Sequence, residues 1–115
     1  MLDWNTYRTQ LIAGIRQFGA ISPDTVRGYQ ALSGAARKNG RLDAKTVELI
    51  AVAVSVTTRC DGCIAVHTEA ALKHGASREE IADALGVAVA LNAGAAMVYS
   101  ARAMDAVSAT LASAG

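Results

Sequence analysis

Residues 43–75 read DAKTVELIAVAVSVTTRCDGCIAVHTEAALKHG, and the fold turns on how this stretch is parsed. Asp43 is a helix N-cap residue type, and the run from Ala44 to about Thr58 behind it is long enough for four turns. The run is rich in β-branched residues, which also suits a strand. No second strand-like segment is available to pair with it, and caps flank it on both sides. A helix is therefore the better reading, apolar nearly all round from Leu49 to Val56 and so central in the fold. A further helix starts at or just before Cys60 and ends at His74, with Gly75 beyond it as the stop.

Working outward, the punctuation stays helical. A first helix is expected from Asp3 to about Phe18, stopping at Gly19. Ser22 followed by Pro23 predicts a hydroxyl N-cap with proline at the first helical position. That second helix should end near Asn39, with Gly40 as its left-handed cap. Ser77 and Glu80 have the spacing of a capping box and open a fifth helix, expected to reach about Leu91. Gly94 predicts a break, followed by a sixth helix from about Ala95 to Ala112. The expectation is all-α: one domain over residues 1–115, about six helices and no sheet.

Composition agrees with small-residue helix packing. The chain is 52% hydrophobic but only 4% aromatic. Its net charge is +1, from 11 basic and 10 acidic residues, with no basic run. Nucleic acid binding needs a concentrated positive patch and is not expected. The N-terminus lacks the pattern of a secretory signal. Asp83, Asn92 and two glycines interrupt the most apolar long segment, so no membrane association and a cytoplasmic location are expected. From Ile81 to Gly115 the only charges are Asp83, Arg102 and Asp105. Two such helices cannot both face water on a monomer, which predicts a homo-oligomer.

The chemistry concentrates in Arg59–His67, RCDGCIAVH. Helical offsets of three, four and seven put Cys60, Cys63 and His67 on one face. Cysteines three apart on a helix lie within reach of a disulfide. At a helix start, free N–H groups and the dipole favour a thiolate. His67 is placed to accept a proton from Cys63. Glu48 sits inside the apolar third helix, where a carboxylate needs a partner. If the two helices run antiparallel from a short turn, Glu48 lies about 15 Å down one and His67 about 9–10 Å down the other. A Glu48–His67 contact, direct or through water, follows. Zinc is disfavoured because structural sites rarely use carboxylate and no second Cys/His pair exists. Ile64 after the second cysteine excludes covalent haem attachment, and no cofactor is expected. Glu69 and Lys73 read as an exposed i,i+4 pair, and His74 as a helix-end residue.

Glu48, the string CDGCIAVHTEAALKHGASREEI at 60–81, Ala82–Leu85 and Ala96–Tyr99 together resemble the carboxymuconolactone decarboxylase/AhpD-like (alkylhydroperoxidase) family over roughly residues 40–105. The resemblance implies an all-helical AhpD-like bundle, often a trimer or hexamer, and alkylhydroperoxide or disulfide reductase chemistry. It implies Cys63 as the thiol that attacks peroxide, Cys60 as the resolving thiol, and His67 with Glu48 as the proton relay. The substrate would be an organic hydroperoxide or a disulfide. A dithiol would restore the site, carried in AhpD's own system by a peroxiredoxin and a lipoyl-bearing protein. The sequence departs from AhpD at Gly62, where AhpD has a further relay histidine, and in lacking an extra N-terminal helical half. The family's decarboxylases lack the cysteine pair, so lactone chemistry is the lesser reading, beside a non-catalytic redox sensor.

Overall fold

The computed structural model describes residues 1–114. Five helices account for nearly all of them: α1 (Trp4–Ile21), α2 (Pro23–Asn39), α3 (Ala44–Thr57), α4 (Asp61–Lys73) and α5 (Arg78–Ala114). No strand occurs among the described residues.

The ends of these helices are set by local chemistry. Asp3 and Asp43 accept hydrogen bonds from the backbone N–H groups of Thr6 and Thr46, at 3.2 and 2.8 Å, and cap α1 and α3. Gly40 closes α2 in the left-handed region at φ 74°. Ser77 and Glu80 form the expected reciprocal box, with bonds of 2.9 and 3.0 Å. Pro23 stands at the start of α2, but Ser22 does not cap it through its side chain. Its hydroxyl lies 2.7 Å from that of Thr25 instead.

Two expected boundaries are corrected. Gly19 does not stop α1, which continues to Ile21; the break falls at Ser22, the residue that Pro23 forces out of the helical region. Gly19 instead lets α2 approach, since a Cβ there would sit 3.2 Å from Val26 Cγ2. Likewise, Gly94 does not break the C-terminal segment. A single glycine costs a helix about 1 kcal/mol, and the alanine-rich sequence on both sides offers no cap to exploit. The result is one helix of 37 residues in place of two, and five helices in place of six.

The interior is small. Val52, Ala71 and Ala76 form its centre, with Leu49, Ile81 and Leu85 packed around them. The main packing is α3 against α4 and α3 against α5, so the apolar third helix is central. α1 lies across α4, strapped by Arg8, whose Nε donates to the Ala65 carbonyl at 2.8 Å and whose Nη1 lies 3.2 Å from Glu69. Much of α5 has nothing to pack on: Met97, Val98, Tyr99, Met104 and Leu111 are each more than 60% exposed. The chain has a radius of gyration of 19.5 Å, against about 13 Å for a compact chain of this length.

Candidate functional site

The junction between α3 and α4 places the cysteines. Arg59 adopts φ 54°, left-handed for a residue with a Cβ. Its N–H donates to the Val56 carbonyl at 3.3 Å, and that of Cys60 to the Ser55 carbonyl at 3.1 Å. This is a Schellman stop for α3. Cys60 is at the same time the N-cap of α4, its Sγ accepting from the Cys63 N–H at 3.3 Å. It therefore sits just ahead of the helix rather than within its first turn. Both cysteines are free thiols, half-buried, with their sulfurs 2.6 Å apart.

The two sulfurs are electrostatically unequal. Cys60 is held below the ordinary thiol range, first by the hydrogen bond from the Cys63 thiol and then by the Cys63 backbone N–H. Cys63 is pushed up, first by its hydrogen bond with Cys60 and then by burial. Of the two thiols, Cys60 is thus the more readily ionised.

Glu48, near the start of α3, is 6% exposed. Its Oε2 lies 2.7 Å from His67 Nδ1, a direct contact with no intervening atom. With the carboxylate accepting, Nδ1 carries the proton and Nε2 is the nitrogen free to act as a base. On its other side, Glu48 Oε1 lies 3.9 Å from Nη1 of Arg37, at the end of α2. Sequence reasoning missed Arg37. Its signal was indirect: a buried carboxylate calls for positive charge, and a helix's last turn favours it. Arg8 was missed too, so the Glu69–Lys73 pair of 3.5 Å shares its carboxylate with α1.

Cys60, Cys63 and His67 open onto one cavity of about 320 Å³. Leu11, Ile15 and Val66 make its apolar walls, and Tyr29 and Ser33 line it from α2. Gly62 forms part of the floor, where a Cβ would stand 2.8 Å from Leu11 Cδ2. Any side chain there would force Leu11 to rotate into the cavity or away from it. Among the described residues, no group of three or more His, Cys, Asp and Glu side chains is arranged to hold a metal ion.

The sequence model of the carboxymuconolactone decarboxylase family matches residues 23–106. The chain belongs to this family. A family member from Legionella pneumophila, solved in its apo form, superposes with a TM-score of 0.74 at 35% identity, covering 89% of this chain and 91% of that one. The family's all-helical fold is thus shared across most of both chains. Among curated sequences, an uncharacterized protein of Haemophilus influenzae is 49% identical over 106 residues, 92% of this chain and 94% of its own length. An uncharacterized protein of Cupriavidus necator is 37% identical, covering 84% of this chain and 88% of its own. A third relative, uncharacterized protein 4 in the cox locus of Paracoccus denitrificans, is 41% identical over 76 residues, 66% of this chain and 68% of its own.

Proposed function

We propose that the protein is a thiol-dependent peroxidase and disulfide oxidoreductase of the alkylhydroperoxidase type. The observation that carries this reading is the pairing of two contacts on one cavity: sulfurs 2.6 Å apart, beside a carboxylate–imidazole pair at 2.7 Å. The apolar walls favour an organic hydroperoxide over hydrogen peroxide.

In the first step Cys63 attacks. His67 Nε2 accepts its proton, and the imidazolium is held by Glu48. The Cys63 sulfur bonds to the outer peroxide oxygen, the O–O bond breaks, and the alkoxide leaves with the electron pair and takes the proton from His67. Cys63 is now a sulfenic acid. Cys60 then gives its proton to the now neutral His67 and attacks the Cys63 sulfur; the departing hydroxyl takes that proton, leaves as water, and the Cys60–Cys63 disulfide closes. An external dithiol attacks that disulfide, is itself oxidised, and returns both thiols. A lipoyl group or a peroxiredoxin partner has the required chemistry.

The test is peroxide turnover by the Cys63→Ser variant with dihydrolipoamide as donor. Turnover should be abolished; wild-type activity in this variant overturns the mechanism. A lactone enzyme on the same scaffold would instead work with both cysteines replaced by serine. A redox sensor would form the disulfide without steady-state turnover.

We also infer that the working unit is a homo-oligomer, trimeric or hexameric as in the family. The isolated chain exposes 8600 Å². A folded monomer of 11.8 kDa is expected to expose about 5,900 Å². The excess is several times the roughly 800 Å² that each partner contributes to a standard interface. An alternative occupant for this surface is lipid, since α5 is long and apolar enough to cross a bilayer by length and composition, with a mean hydropathy of 1.7 in its most apolar window. Asp83, Arg102 and Asp105 place charge on the same helix, which favours the oligomer over hydrocarbon.

A further inference from the structure

The reaction above uses every polar group that α3 and α4 bring to the cavity, yet α2 brings two more. Tyr29, Ser33 and Arg37 are spaced four apart, so they lie on one side of α2. Arg37 approaches Glu48 at 3.9 Å, which fixes that side as the one facing the site. Tyr29 and Ser33 line the cavity opposite the cysteines and His67. Neither hydroxyl makes a side-chain hydrogen bond among the described residues, whereas Ser22, Ser55, Thr68 and Ser100 all do. The rest of the cavity wall is aliphatic. Tyr29, 62% exposed, and Ser33, also exposed, stand at the solvent side of the cleft, where an unengaged hydroxyl can meet an entering ligand.

We infer that Tyr29 and Ser33 are positioning residues for the hydroperoxide, holding its inner oxygen by hydrogen bonds while the outer oxygen is presented to the Cys63 sulfur. This rests on the peroxidase reading above. The inner oxygen becomes the departing alkoxide, so donors aimed at it strengthen as the O–O bond breaks. The bookkeeping is that of the first step: the proton that neutralises the alkoxide is the one taken from Cys63 through His67. Both hydroxyls finish protonated. They orient the substrate along the sulfur–oxygen line and lower the charge on the leaving group.

The experiment compares wild type, Tyr29→Phe, Ser33→Ala, the double variant and Ser33→Thr. The readouts are kcat/KM for cumene hydroperoxide with dihydrolipoamide and the rate of thiol alkylation by iodoacetamide. The double variant should lose about ten- to a hundredfold in kcat/KM, in line with the loss of oxyanion donors. Alkylation should be unchanged, because iodoacetamide needs the thiolate and not the hydroxyls. Ser33→Thr, which restores a hydroxyl, should recover most of the Ser33→Ala loss. A double variant within twofold of wild type in kcat/KM overturns the inference and leaves the peroxidase reading intact. Equal losses in peroxide and alkylation rates also overturn it, since they indicate a structural role. A wild-type protein inert toward cumene hydroperoxide overturns both.

Discussion

Glu48 and His67, nineteen residues apart, meet across the α3–α4 pair with Oε2 and Nδ1 2.7 Å apart. The contact fixes both the tautomer and the orientation of the imidazole, with Nε2 left for proton transfer. Replacing Glu48 with glutamine keeps the shape and removes the charge that holds the imidazolium. Glu48→Gln should lower kcat/KM for organic peroxide about a hundredfold, within the range of general acid–base contributions, while the far-ultraviolet circular dichroism stays helical. Unchanged turnover would mean that the pair is purely structural.

The Cys63 thiol is the main cause of the lowered Cys60 pKa, with the Cys63 N–H second. Cys63→Ala removes the first cause and keeps the second, which is backbone. Loss of a donor to the charged form disfavours that form, so the Cys60 titration must move up in pH. The pH profile of iodoacetamide alkylation at Cys60 should shift to higher pH in this variant. It should still lie below that of the same thiol in the urea-unfolded chain. A shift to lower pH would show that the proton is shared in the opposite sense.

Arg59 holds a left-handed backbone at φ 54°, which costs a residue with a Cβ about 1–2 kcal/mol. Glycine avoids that clash but loses more backbone entropy on folding, about 0.5–1 kcal/mol. Arg59→Gly should therefore stabilise the protein by about 0.5–1 kcal/mol, read as a higher urea midpoint at constant m-value. A lower midpoint would show that the Arg59 side chain contributes more than its backbone strain removes.

The exposed apolar length of α5 gives a direct solution test. The protein should purify without detergent and elute as a multiple of 11.8 kDa in size-exclusion chromatography with light scattering. Aspartate at Val98, at present 68% exposed, should shift the distribution toward smaller species by placing a charge in the buried contact. Recovery only from a membrane pellet would assign this surface to lipid.

The helical fold was legible because its punctuation is local. Asp3, Asp43, Gly40, Pro23 and the Ser77–Glu80 box act through neighbours three or four residues away, and a sequence shows those neighbours directly. Gly94 misled because glycine is a weak breaker: its cost is set against a whole alanine-rich helix, and no cap residue stands ready to end it. Cys60, Cys63, Glu48 and His67 could be placed together because one short junction joins the two helices that carry them. Arg37, Arg8 and the α2 hydroxyls could not be, since they come from helices whose position depends on tertiary packing. Gly19 and Gly62 show the same limit, each marking a close approach by a side chain remote in sequence or across a helix turn. The unequal character of the two thiols was also hidden: residue spacing gives reach, but donor and acceptor roles follow from Cys60 lying one step outside α4.

The joint between α3 and α4 has no slack. Cys60 finishes one helix and begins the next, so only Thr58, Arg59 and Cys60 separate the two. A residue inserted there cannot bulge outward harmlessly. If it were absorbed into α4, it would turn that helix by about 100° and swing the imidazole away from its carboxylate. Chain length at this point, as much as residue identity, is under functional constraint, and insertions that a surface loop would tolerate should be lethal to the chemistry here.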